Sequence, residues 1–434
     1  MPEILKPTHP DQLIELIQWA VARATPLAVQ AGGSKAGIGR PVATEHVLDL
    51  SGFNGVSQYD PAELVLTAGA GTPLRDIEIL IAERGQMLAF EPPNYAGAVD
   101  TAVVNAANVH NTATLGGTLA GNISGPRRFF SGAARDHFLG FKAVSGRGEP
   151  FKSGGRVVKN VTGFDLSKLV AGSWGTLAAL WEVTVKVLPV PEKTRTLLIF
   201  DLDARQAITA MTAAVSSPHS VSGATHLPAG LTPRSKVSYV ASAGTSVTAL
   251  RLEGPGPSVS HRLEALKSLL GDIGKGDTSK GDITASKNNS MEELHSDNSA
   301  ILWREIADLA FLNQTLEKTP RGGNRHIWRL SLPPTSAGNT ASALIALGIS
   351  EWFFDQAGGV LWLACADRVE PADIRAPLER HGGHATLWRA QAAVRRTAAV
   401  FHPQPETLAA LTRRVKAGFD PNGILNPGRM YEDL

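Results

Sequence analysis

Cysteine is almost missing from this chain: Cys365 is the single one in 434 residues. One thiol cannot close an internal disulfide, fill a Cys₄ zinc site or ligate an iron–sulfur cluster. It lies in the apolar run Val360–Ala366, so a buried structural thiol is expected rather than a reactive one. Long hydrophobic runs are missing too. No stretch approaches the 18 consecutive apolar residues of a membrane-spanning helix, and Met1-Pro-Glu-Ile-Leu-Lys6 lacks the basic-then-apolar pattern of a signal peptide. The expected compartment is the cytoplasm. Nor does one sign of charge dominate. Lys and Arg number 42 against 40 Asp and Glu, a net charge of +2, too small to single out nucleic acid or an anionic membrane as the main partner.

What the chain has in plenty is glycine, 43 residues, clustered in a few loops where backbone must approach something closely or take a positive φ. Hydrophobic residues at 43% are enough for a real core, and the length suggests two or three domains. Helical spacing of Leu13, Ile14, Ile17, Ala20 and Val21 after an N-cap at Thr8 predicts a first helix. Strands follow at 27–30, 47–50 and 64–67, with a helix at 72–82 and a strand at 180–188. Pro189 and Pro191 mark a boundary. Beyond it, strands at 194–200, 246–252, 326–332, 351–355 and 360–364 alternate with helices at 204–215, 261–270 and 336–347. That is an α+β layer with helices on one face of an antiparallel sheet. Residues 271–299, polar and rich in Gly and Ser, read as a mobile loop, and a helix at 405–417 precedes a turn-rich tail. The expected domains are 1–190, 191–395 and a returning segment 396–434.

Three glycine-rich segments carry the functional signal. The loop Ala31-Gly-Gly-Ser-Lys-Ala-Gly-Ile-Gly-Arg-Pro41 follows a strand and can offer backbone N–H groups to a pyrophosphate. It is no Rossmann loop, because Gly37, Gly39 and Pro41 prevent a helix there, and its Gly33-Ser-Lys35 order is not that of a P-loop. Taken alone, a plain tight turn is an equal reading. Thr112-Ala-Thr-Leu-Gly-Gly-Thr-Leu-Ala-Gly-Asn-Ile-Ser-Gly125 adds small residues against which a flat ligand could lie. The third segment, 154–176, reads equally as a helix with glycine breaks at both ends.

In this order, with the C-terminal Phe419-Asp-Pro-Asn-Gly-Ile-Leu-Asn-Pro-Gly428, the segments resemble the FAD-binding fold of the vanillyl-alcohol-oxidase and p-cresol-methylhydroxylase (PCMH) type. The resemblance implies an α+β protein with a two-subdomain PCMH-type FAD-binding domain and a separate α+β cap domain. Within that family Gln30–Lys35, Ser124–Asp136 and Gly382-Gly-His-Ala-Thr-Leu387 are similar to the E subunits of bacterial glycolate oxidases. Carried over, the resemblance puts the backbone of Ala31, Gly32, Gly33, Ser34 and Lys35 on the pyrophosphate and Leu115, Gly116, Gly117, Asn122 and Gly125 on its second side. It also brings Glu182 and Val183 to the cofactor and Asn426 to its flavin end. Many relatives attach flavin through a histidine in the first loop. Here that position is Ser34, which implies non-covalent FAD. There are departures: Gln30 replaces a frequent Arg, Trp174 stands where the family usually has Glu, and residues 100–111 look inserted.

Oxidising a 2-hydroxy acid needs a carboxylate anchor, a base and a hydride path. The His-x-x-Asp-Gly-Asn-x-His cluster of catalytic relatives has no match; His381-Gly-Gly-His384 is the nearest approach, and a surface or structural histidine is the better reading of His384. Catalytic residues stay unassigned, and no metal site is expected. Arg127 and Arg128 are candidates for a carboxylate or phosphate, or a solvated pair; Arg395-Arg396 and Arg413-Arg414 read as solvated helix faces. The resemblance implies oxidation of glycolate to glyoxylate within a complex. Its partners would be a catalytic D-type flavoprotein subunit and an F-type iron–sulfur subunit, docked at most peripherally at the inner face of the membrane. A self-sufficient FAD-dependent 2-hydroxyacid dehydrogenase and a non-catalytic scaffold that keeps the flavin fold are the alternatives.

Overall fold

The computed structural model describes residues 2–94, 112–155, 163–271, 290–313 and 325–434. The inserted stretch 100–111 lies outside them. Two compact units emerge. The first comprises residues 1–124, 132–190 and 391–434; the second comprises 125–131 and 191–390.

In the first unit the opening helix is Pro10–Ala22, one residue later than its expected cap. His9 takes the cap position, its side chain accepting from Asp11 N, while Gln12 Oε1 accepts from the backbone of Thr8 and His9. Leu13, Ile17 and Ala20 pack on a three-stranded parallel sheet ordered Glu3–Leu5, His46–Asp49, Leu27–Gln30. The C-terminal segment joins this layer. Leu27 N donates to Ile424 O at 2.8 Å and Asn426 N to Leu27 O at 3.0 Å, so the last residues run as an extra edge beside Leu27–Gln30. A second layer is a five-stranded antiparallel sheet ordered Val56–Asp60, Val65–Gly69, Ala178–Lys186, Phe138–Ser145, Pro150–Gly154. It buries its own apolar cluster against Leu74, Ile77 and Ile81 of helix Leu74–Ala82 and Leu115 and Leu119 of helix Leu115–Ala120.

The second unit is built around one eight-stranded antiparallel sheet. Its elements run strand–helix–strand–strand–helix–strand twice, from Lys193–Phe200 to Met291–Leu294 and from Arg325–Ser331 to His384–Arg389. Within each half the four strands stand in the order fourth, first, third, second, the split βαβ arrangement. The halves join through their second strands, where His226 lies opposite Phe354. Helices were expected on one face only, and the structure differs. Arg375 of helix Pro371–His381 covers Trp328 on one face, while Trp303 of helix Ser296–Ala307 lies on the other and donates to Thr196 Oγ1 at 2.8 Å. The reason is burial: Val221–Leu227 is covered at every position, and a strand buried on both sides needs cover on both. Gly223 makes that contact possible, since a β-carbon there would sit 2.8 Å from the Trp303 ring. Residues 291–299, read from sequence as part of a loop, form the strand Met291–Leu294 and the start of this helix. The cap-region tryptophans Trp303, Trp328, Trp352, Trp362 and Trp388 are all buried, as is Cys365, whose thiol burial pushes up to about 12.

Candidate functional site

The first unit holds a cleft of about 1220 Å³, open mouth included, a size that suits a bulky ligand. Its walls come from segments distant in sequence. After the strand Leu27–Gln30 the chain turns tightly, with Ala36 N bonded to Gly33 O and Ile38 N to Lys35 O, and Gly33 takes φ +76°, which glycine adopts without strain. Gly32 faces the carbonyl of Thr112 so closely that no side chain would fit, and its own carbonyl accepts from Thr112 N at 3.2 Å. Thr114 then caps helix Leu115–Ala120, and Gly116 lies on Ala70, where a β-carbon would approach the Ala70 methyl to 2.6 Å. Trp174, Gly175, Ala178 and Leu180 make a third wall, and Asn426 and Arg429 of the C-terminal segment a fourth.

Of the residues singled out from sequence, Ala31, Gly32, Gly33, Ser34, Lys35, Gly116, Gly117 and Asn426 line this cleft. The others do not. Leu115 and Val183 are wholly buried in the apolar cluster. Asn122, at φ +48°, accepts from Arg135 N, and Gly125 belongs to the second unit. Glu182 pairs with Lys142 at 2.8 Å on the other face of its strand. A bulge explains this: Lys142 lies opposite Glu182 but Ala143 opposite Leu180, so the register slips by one at Trp181. A one-residue slip exchanges faces, turning Ala178 and Leu180 inward and Glu182 away. Asn426 lines the cleft, yet its amide is spent on the protein. It accepts from Val29 N at 2.8 Å and donates to Val29 O and Trp174 O at 3.3 and 2.9 Å. The tail motif is itself tied down by Asp420, whose carboxylate accepts from Ile424 N and Leu425 N and pairs with the buried Lys416 at 2.6 Å.

The electrostatics of the cleft are one-sided. Lys35 and Arg429 line it, and so does Arg40, whose charge meets Glu432 at 3.4 Å. No Asp or Glu among the described residues does. Burial first, and then the neighbouring Arg429, bring the Lys35 ammonium down to about 7. Burial and then Arg395 bring Arg429 down to about 10. Arg429 stands over the Trp174 ring at 5.7 Å and donates to Lys35 O at 3.1 Å. Trp174 holds φ +56° to reach that position, a costly conformation for a bulky residue. Arg395, expected on a solvated face, is fully buried and donates to Gly39 O at 2.8 Å; the carbonyls of the glycine loop need a donor there, and its guanidinium supplies it. Arg127, with Arg128 a candidate anion anchor or solvated residue, is neither solvated nor free. Its Nε and Nη2 donate to both oxygens of Glu253, at 3.0 and 2.6 Å, inside the second unit. His384 is exposed.

Known proteins resemble this chain over its whole length. Residues 2–154 match the family described as "FAD binding domain", and residues 395–430 that described as "FAD linked oxidases, C-terminal domain". Glycolate oxidase subunit GlcE of Escherichia coli (strain K12) is 32% identical over 426 residues, covering 98% of each chain. Glycolate oxidase subunit GlcD of Bacillus subtilis (strain 168) is 24% identical over 463 residues, 99% of this chain and 89% of that one. Among solved structures, 4-ethylphenol oxidase from Gulosibacter chungangensis superimposes with a TM-score of 0.67 at 13% identity, over 99% of this chain and 89% of that one. The fold is accordingly that of the PCMH-type FAD oxidases.

Proposed function

Since the chain belongs to the family of the glycolate oxidase subunit GlcE, we propose that it is the FAD-bearing subunit of a glycolate-oxidising complex and that the cleft of its first unit holds the cofactor. The observation that carries this reading is the cleft itself: backbone and small side chains from three glycine-rich segments, with a buried lysine, two half-buried arginines and no carboxylate among the described residues. Such a lining suits a dinucleotide, whose diphosphate is anionic and whose rings are flat. The backbone of Ala31, Gly32, Gly33, Ser34 and Lys35 would meet the diphosphate, with Gly116 and Gly117 along its other side. Asn426 acts by pinning the strand Leu27–Gln30 to Trp174 rather than by touching the cofactor through its amide. No His, Cys or Tyr among the described residues lines the cleft, which supports non-covalent binding.

When bound, FAD supplies hydride acceptance and a relay for electrons. The chain's own residues hold and orient it. With a single cysteine and no His-x-x-Asp-Gly-Asn-x-His cluster, the chain depends on others for the rest of the reaction: a D-type flavoprotein subunit for substrate oxidation and an F-type subunit for iron–sulfur clusters. The purified chain should be yellow after incubation with FAD, and acid precipitation should leave the flavin in the supernatant. Glycolate should bleach it only when the partner subunits are present. Bleaching of the isolated chain would make it a self-sufficient dehydrogenase. Failure to take up flavin would make it a scaffold.

A further inference from the structure

Lys35 and Arg429 are the cations of the cleft that meet no counter-charge among the described residues. The Lys35 ammonium, on a residue only 8% exposed, has one side-chain hydrogen bond among the described residues, to Ser34 Oγ at 3.3 Å. Arg429 is held by Lys35 O and the Trp174 ring, and its buried Nε has no acceptor among the described residues. The charged groups around them are of the same sign: Arg395 from helix Ala392–Thr397 acts on Arg429, and Arg40 is already met by Glu432. Holding a buried lysine beside a half-buried arginine is costly, and an anion placed between them offsets that cost.

We infer that the Lys35 ammonium and the Arg429 guanidinium are the side-chain contacts that bind the diphosphate bridge of FAD. They supplement the backbone amides of the glycine loop and tie the C-terminal segment to the cofactor. This rests on the reading of the cleft as the FAD site. Arg429 brings planar donors suited to phosphate oxygens, and Lys35 a point charge. Because Arg40 N donates to Arg429 O and Arg429 Nη2 to Lys35 O, the two cations belong to one braid of loop and tail.

The test is FAD binding to flavin-free protein, followed by quenching of flavin fluorescence. Lys35→Met and Arg429→Gln should each weaken FAD roughly 10-fold or more, the size of a charge-assisted hydrogen bond, and Lys35→Arg should restore most of the loss. Thermal unfolding of the flavin-free variants checks that they fold. On the wild type, which needs no variant, inorganic pyrophosphate should compete with FAD and slow its uptake, while phosphate-free adenosine and added chloride at equal ionic strength should not. Variants that bind FAD within twofold of wild type, or a wild type indifferent to pyrophosphate, would overturn the inference and leave the FAD site standing. A wild type that takes up no FAD would instead remove the functional reading beneath it.

Discussion

The two units treat buried charge in opposite ways. In the second, two buried or half-buried arginine clusters close on a carboxylate. Arg127 and Arg251 share Glu253, and Arg234 and Arg325 share Glu351. Burial alone would raise the Glu253 carboxyl, yet the Arg251 and Arg127 guanidiniums more than offset it and hold it at about 2. In the first unit Lys416 and Asp420 follow the same rule, so the unit is not short of acids where it needs them. In the cleft, by contrast, Lys35 and Arg429 meet no carboxylate among the described residues. A closed cluster is internal scaffolding that a ligand could only disturb. An open one stores an unfavourable interaction that an anion relieves, which is a basis for affinity.

That contrast can be broken first in the second unit. Glu253→Gln leaves Arg127 and Arg251 buried without their counter-charge and should cost about 3–5 kcal/mol of stability in denaturant unfolding. A loss under about 1 kcal/mol would mean that the cluster is solvated and the contrast empty. The opposite outcome holds in the cleft, where pH reads out the open charge. An unfolded lysine keeps its proton up to about 10.4, whereas Lys35 in the flavin-free protein releases it near 7. Between these values the unfolded state binds more protons, so stability should rise with pH from about 7 to about 10.4 and be flat with respect to this group below 7. Bound diphosphate favours the charged lysine and should shrink that slope, and Lys35→Met should remove it. The melting temperature of flavin-free and FAD-loaded protein across this window checks the sign. An equal slope in both forms would count against an open charge in the cleft.

Much of the fold was legible because local signals agreed. The helix Ala204–Ser216 starts at its Asp203–Gln206 capping box, and the strands at 27–30 and 351–355 carry clear hydrophobic patterns. The glycine loops of the cleft were legible for a related reason: positive φ and close approach leave a compositional trace at Gly33 and Gly116. What escaped depended on partners far along the chain. The doubled strand order of the second unit is set by pairings such as His226 with Phe354, which leave no local mark. The slip at Trp181 turned Glu182 away from the cleft, and no periodicity announces a bulge. Arg395 sits in a helix of one and a half turns, too short to show which face is buried, and its partners are carbonyls 356 and 359 residues away. Arg429 did have a signal. It stands directly after the Asn426-Pro-Gly428 turn that returns the tail to the glycine loop. With Gln30 in place of the arginine frequent in relatives, another cation near the loop was a question the sequence could already pose.

The smallest effect belongs to a third kind of charge, largely in water. Arg413 donates to Glu406 and to Asp433 at the C-terminal edge of the first unit, and these hydrogen bonds raise its pKa. By geometry it is as well paired as Arg127. Yet little there is desolvated: water screens the attraction, salt weakens it further, and two long side chains lose freedom in forming it. Arg413→Ala should therefore leave the melting temperature unchanged within error, at low and at high salt, and leave FAD binding as it was. A clear loss of stability at low salt that vanished at high salt would mean that pairing alone, without burial, decides what a charge is worth in this protein. The distinction between closed and open clusters would then have to be redrawn around geometry rather than desolvation.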